Sequence, residues 1–363
     1  MKDKWNENLE DQYSQLETEA KEIALDKIQG ALIRSRIRDR DLGLLPTRSL
    51  SSLQKRTSSR AIQALRDKEG ELKRDPQDIL QIASDFYKNL YSSQTNTWVV
   101  QEAQKSILKA VSGQIEQNSK TELDSPISEE EILEAIKRSG KNRSPGPDGL
   151  TSEFYNSFPT LLAPLLKDLY QEIFEKKSLT PSQKEALVTM IYKKGDEAEI
   201  SNYRPISLLN LDLKILSKIL SNRLRQVLPE IISQDQKQVR GRTIQENTQF
   251  MVDIIYYLQN TRNKGAILLF DQEKAFDRIE WNFMLKMLKE FGFGENFLRW
   301  IQILYKEPTL KLKINNWIGA DVKIGRGVRQ GDPLSPTSLH NLHRRTGRQD
   351  QRQPRTHRDL TPR

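Results

Sequence analysis

The chain has 363 residues, of which 36% are apolar and 29% charged, no cysteine, and a net charge of +9. No disulfide or thiolate zinc site can form, no run approaches the ~20 apolar residues of a membrane span, and the start MKDKWNENLEDQ lacks the apolar stretch of a secretion signal. An intracellular protein of the cytoplasm or nucleus is expected, with two to three domains on a prior of ~150 residues each.

The positive charge is unevenly spread. Residues 1–33 hold eight acidic and four basic groups, whereas 34–74 hold twelve basic and five acidic ones, among them Arg34, Arg36, Arg38 and Arg40. A basic run of this kind suits a phosphate backbone, and equally suits a solvated helical surface.

Residues 5–40 read as helix, with Leu16, Ala20, Ile23, Leu25, Ile28 and Leu32 spaced among charges. Gly43, Pro46 and a serine-rich stretch interrupt it, and a second helix is predicted from Pro76, with Ile79, Ile82, Phe86 and Leu90 on one face. Nothing in residues 1–120 points to catalysis. Ser128 with Glu131 is a capping-box pattern opening a short helix that should end at Gly140. The loop KNRSPGPDG follows, forced out of regular structure by its prolines and glycines. EALVTMIY (185–192) reads as a buried strand, and Leu213, Leu216, Leu220, Leu224 and Val227 mark a helix after Pro205.

GAILLF (265–270) is an apolar run consistent with a strand buried on both faces, which places Asp271 at a strand end. Phe276, Ile279, Phe283, Met287 and Phe291 then recur at helical spacing, with Gly292 as the helix end. TLKLKI, Asn315-Asn316 and WIGADVKIG read as a β-hairpin. A carboxylate at a strand end is a good hard-cation ligand, because the strand fixes it and the turn leaves it open. A capping or surface aspartate has the same local sequence.

The segment AILLFDQEKAFDRI resembles the first catalytic motif of reverse transcriptases, in the form found in LINE-type non-LTR retrotransposons, and GVRQGDPLSP resembles the second. SPGPDG (144–149), NYRPISLLN (202–210) and GRTIQEN (241–247) are similar to further family motifs, so five motifs fall in family order between residues 144 and 336. The resemblance implies an α+β right-hand polymerase fold: a helical, basic linker over 1–120, fingers over 121–260 and a partial palm over 261–337. It implies that Asp271 is a catalytic, metal-binding carboxylate with the backbone of Gln272 beside it, and that two Mg2+ ions serve a complete enzyme. Phe276 matches the aromatic that selects deoxynucleotides, although the apolar stripe alone also explains it. Arg204, Lys193 and Lys194 match the cations that clamp a triphosphate, and Gln330 and Gly331 match the segment beside nucleotide and template. Arg143 and Arg242 join the four N-terminal arginines as expected nucleic-acid contacts. The implied partners are an RNA template, a DNA primer and deoxynucleoside triphosphates, with no membrane and an open oligomeric state.

Two features depart from the pattern. Members carry an aromatic-Ala-Asp-Asp segment after the second motif and then a thumb, yet no two aspartates are adjacent anywhere in the chain. Residues 338–363 also change vocabulary, with seven arginines, no lysine and all three histidines of the chain. That tail is expected to be disordered and unrelated to the rest, as another reading frame or exon would make it, although a natural basic nucleic-acid-binding tail has similar composition. The expected protein is therefore an inactive reverse-transcriptase-like fragment without a thumb. The alternative is a non-catalytic RNA- or DNA-binding protein of retrotransposon origin.

Overall fold

The computed structural model describes residues 61–95, 97–109, 111, 114–140, 142–232, 244–261 and 273–334. The chain divides into Met1–Ala61 and Ile62–Arg363, and the fold below is that of the second unit. The predicted helix over 5–40, the arginines at 34–40, Arg242, the GAILLF strand with Asp271 and Gln272, and the tail from Ser338 all lie outside the described residues.

A two-residue strand pair, β1 (Leu65–Arg66) and β2 (Leu72–Lys73), precedes helix α1 (Pro76–Leu90). Pro76 sits where a helix needs no N–H, and the Asp75 carboxylate accepts from the Gln77 amide at 2.8 Å, so both start signals are used. Ile79, Ala83, Tyr87 and Leu90 bury one face of α1. Helices α2 (Trp98–Lys109), α3 (Gln117–Asp124), α4 (Glu129–Lys137), α5 (Ser152–Ser157), α6 (Pro159–Lys176) and the single turn α7 (Pro181–Lys184) follow. The capping box at Ser128 and Glu131 forms as predicted, but α4 closes at Lys137, short of Gly140.

Strand β3 (Glu185–Tyr192) has the predicted bounds and pairs antiparallel with β4 (Tyr203–Leu208). Helix α8 (Leu211–Ile231) is buried on nearly every side, the burial pattern of a central helix rather than a surface one. Helix α9 (Ile244–Thr261) begins within the GRTIQEN segment. Helices α10 (Trp281–Glu290) and α11 (Glu295–Leu304) lead to the predicted hairpin, β5 (Thr309–Ile314) and β6 (Trp317–Lys323). Asn315 and Asn316 turn it with φ of 50° and 70°, the left-handed pair that a two-residue hairpin loop requires.

The sheet order is β4-β3-β5-β6, with β3 and β5 parallel and both outer pairs antiparallel. Helix α1 crosses β6, with Leu80 lying over Gly319. Helix α8 is held to the preceding segment by Arg223, whose guanidinium meets both Glu131 oxygens at 2.7 Å and the Leu123 and Pro126 carbonyls at 3.1 and 2.9 Å.

One predicted helix is in fact two elements. The apolar spacing from Phe276 to Phe291 reads as continuous, yet a 3-10 turn (Ala275–Arg278) is followed by an extended Ile279 and only then by α10. The cause is tertiary. The Phe276 and Ile279 carbonyls accept from Val328 and Gly327 amides at 2.8 and 2.7 Å, so the chain bonds to another loop instead of continuing its own helix.

Candidate functional site

The second-motif loop, from Gly325 to Leu334, lies against three other segments. Gly325 N–H donates to the Tyr91 carbonyl at 2.9 Å, and Gly327 and Val328 bond the first-motif turn. The indole N–H of Trp281 closes on the Gly327 carbonyl at 2.7 Å, and the Ser207 amide in β4 donates to the Gln330 carbonyl at 2.7 Å. Gly331 is the close approach that makes this possible. At φ +116°, a Cβ there would stand 2.7 Å from the Ser207 oxygen, so only glycine fits without displacing the loop.

Buried charge gathers where the loops meet. Asp277 receives the Tyr91 hydroxyl at 3.1 Å and the Gln330 amide nitrogen at 3.1 Å from both carboxylate oxygens. Burial pushes its pKa up, with those two hydrogen bonds and then Lys274 and Arg278 opposing. The Tyr91 hydroxyl is driven well above its ordinary range by burial and by the Asp277 charge. Lys274, at φ 49°, donates to the Ser201 carbonyl at 3.1 Å and lies 5.2 Å over the Phe86 ring, and burial lowers its pKa. Arg326 donates to the Leu90 carbonyl at 2.8 Å and faces Glu280 at 3.5 Å. Arg329 and Asp332 are buried beside these, the arginine shifted down and the aspartate up, in each case chiefly by burial.

Of the residues predicted for the site, Gln330 and Gly331 sit in this assembly, and Phe276 is half-buried against the core at its edge. Lys193, Lys194 and Arg204 are exposed where β3 ends and β4 begins, the strands paired as Ile191 with Arg204. Arg143 is exposed beside the SPGPDG loop.

A cavity of about 340 Å3 separates that loop from β4, the first turns of α8 and Gly331. Its rim carries Arg138, Arg143, Lys214 and Lys218, and its walls include Pro145, Leu150, Ile206 and Leu208. Burial lowers the pKa of both lysines. Arg143 adds to the effect at Lys214, and Arg225 and Arg138 add to it at Lys218. Clustered cations over an apolar wall can take a phosphate with a base stacked beside it.

Asp277, Tyr91, Lys214 and Lys218 were not among the predicted site residues. Asp277 does carry a signal, as the second aspartate of the motif around Asp271. Tyr91 carries none, because the partner of its hydroxyl lies 186 residues away in the chain.

Among the described residues no group of three or more His, Asp or Glu side chains is placed to hold a metal ion, and both oxygens of Asp277 are engaged. These residues alone do not fit a metal site. No described helix is long and apolar enough to cross a membrane.

The frame of the site is thus a mixed sheet flanked by helices, with two motif loops docked on each other and beside strand β4. Residues 191–349 match the family "Reverse transcriptase (RNA-dependent DNA polymerase)", a match that extends beyond Ser338. The chain is 36% identical over 336 residues to the "Transposon TX1 uncharacterized 149 kDa protein" of Xenopus laevis, covering 90% of this chain and 25% of that protein. It is 27% identical over 214 residues to a "Retrovirus-related Pol polyprotein from type-1 retrotransposable element R2" of Nasonia vitripennis, covering 58% and 20%. It is 26% identical over 215 residues to the "Probable RNA-directed DNA polymerase from transposon BS" of Drosophila melanogaster, covering 58% and 24%. Residues 191–349 of the chain thus carry a reverse transcriptase domain, similar to those of non-LTR retrotransposons. It spans about a quarter of the length of these relatives or less.

Proposed function

We propose that this chain is the fingers and the first part of the palm of a retrotransposon reverse transcriptase, that it binds RNA through those fingers, and that it does not polymerise by itself. The observation that carries this reading is the docking of both motif loops on each other and on β4, through Val328 to Phe276 and Ser207 to Gln330. Loops from three stretches of sequence converge there on one face.

In this reading Asp271 is a metal-binding carboxylate with the Gln272 backbone beside it, and Phe276 excludes a ribose 2′-OH. Arg204, Lys193 and Lys194 hold the triphosphate, Arg204 in two-point fashion and the lysines as point charges, and in its absence take phosphates of the RNA strand. Gln330 and Gly331 lie beside nucleotide and template. Arg143, with Lys214 and Lys218 in the adjoining cavity, takes the strand's phosphates. Mg2+ is the family's cofactor, and Asp271 is the residue that would hold it. The absence of any adjacent aspartate pair supports inactivity, since in-line attack on a triphosphate needs both the attacking and leaving oxygens stabilised.

The alternative, a purely nucleic-acid-binding protein, shares the cationic cavity and differs in giving Asp271 no role. RNA binding measured against salt for wild type, Asp271→Asn and the triple variant Lys193→Glu, Lys194→Glu, Arg204→Glu tests the fingers assignment. Binding should survive the first change and weaken with a shallower salt dependence in the second. Binding indifferent to the triple variant contradicts the assignment.

A further inference from the structure

We infer that Tyr91 and Asp277 are positioning residues for Gln330, forming a buried relay that makes the segment from Pro76 to Gln94 a working part of the second-motif loop. The inference rests on the reading of Gln330 as a residue beside the nucleotide, and it adds a part that lies wholly outside the matched region 191–349.

The geometry runs in one line from α1 to the loop. The Tyr91 hydroxyl donates to one Asp277 oxygen, and the Gln330 amide nitrogen reaches both, each at 3.1 Å. Asp277 is 2% exposed and Tyr91 7%, so water does not compete for these bonds. A primary amide can point two ways with little difference in shape. A carboxylate accepts only, so it admits the Gln330 amide with its NH2 inward and rejects the flipped form.

Four further hydrogen bonds tie the same segment to this loop or to Glu280 beside it. Tyr91 accepts from Gly325 N–H at 2.9 Å, and the Leu90 carbonyl accepts from Arg326 at 2.8 Å. Ser93 and the Gln94 amide both donate to Glu280, at 2.8 and 2.9 Å, and Glu280 also faces Arg326. The segment's polar atoms are spent on the loop that carries Gln330 and on Glu280 beside it.

Among the described residues the charged and titratable groups facing Asp277 are Tyr87 in α1, Tyr91 just after it, and Lys274 and Arg278 from its own turn. Both hydrogen bonds favour the ionised carboxylate, so removing either moves its titration upward.

The test uses the full chain with glutamine side-chain amides labelled with 15N, the Gln330 signal being identified by its loss in Gln330→Ala. In wild type that signal should follow the Asp277 titration. In Tyr91→Phe the midpoint should move up by about one pH unit, the loss of one hydrogen bond to a charged group. In Asp277→Asn the titration should vanish. A Gln330 signal that does not titrate, or that titrates identically in Tyr91→Phe, overturns the inference. If Asp277→Asn does not fold, the Tyr91→Phe comparison decides alone. No nucleic acid is present, so failure here is distinct from failure of RNA binding.

Discussion

The helical layer around Arg223 and the loop layer around Arg329 bury a guanidinium to the same degree, 7% exposed in each case, and treat it differently. Arg223 spends its donors on both oxygens of Glu131 and on backbone carbonyls between Leu123 and Pro126. Among the described residues the Arg329 guanidinium makes one hydrogen bond, to the Leu304 carbonyl at 3.5 Å, and its Nε has no partner. Asp332 beside it, and Asp277 in the same loop layer, are raised in pKa by burial. In the first layer, charge fixes how helices pack. In the second, buried carboxylates carry raised pKa values, a pattern that marks functional sites more often than frameworks.

Four changes would sharpen or break that contrast. Arg223→Met should cost the most, about 3 kcal/mol in chemical denaturation, because it strands Glu131 and several buried carbonyls at once. A loss below about 1 kcal/mol would mean the pin is ornamental.

Gly331→Ala comes next, at about 2 kcal/mol, since its Cβ would press on the Ser207 oxygen at a backbone conformation that alanine disfavours. The signature to look for is faster hydrogen exchange at Ser207 N–H, which now donates to Gln330.

A pH series probes the loop layer alone. Asp277 has a folded pKa above its ordinary value, so the folded state holds the proton more tightly than the unfolded one. Its contribution to stability is therefore greatest in mild acid and declines as pH rises from the ordinary carboxylate range through the raised pKa. Asp277→Asn should flatten that part of the stability profile. An unchanged profile would move the pH dependence to Asp332 or Asp212, which burial also raises.

Smallest in stability, and largest in binding, is the triple variant of Lys193, Lys194 and Arg204 to Glu. These exposed side chains should alter unfolding by less than about 0.5 kcal/mol each. Their loss should nonetheless lower the salt slope of RNA binding by roughly 0.7 per phosphate contact removed.

Local signals were legible wherever chemistry and geometry are neighbours in sequence. The bounds of β3, the Asn315-Asn316 turn and the Ser128–Glu131 box all follow from residues within a few positions of one another. The five motifs likewise pointed to the reverse transcriptase family that residues 191–349 match. What the sequence could not carry is long-range substitution of one hydrogen bond for another. The helix expected across Phe276 to Phe291 breaks because Gly327 and Val328, about fifty residues on, claim its carbonyls. Tyr91 is silent for the same reason, and Lys214 and Lys218 sit between stripe positions of α8 that mark only a helix. The cavity they line exists because β4 and the SPGPDG loop arrive from elsewhere.

The most direct test is primer extension on an RNA template by the full 363-residue chain, with Mg2+ and deoxynucleoside triphosphates, beside an RNA-binding titration of the same preparation. The account predicts salt-dependent RNA binding, weakened by the Lys193, Lys194 and Arg204 substitutions, and no extended primer. Extension that disappears in Asp271→Asn would contradict it.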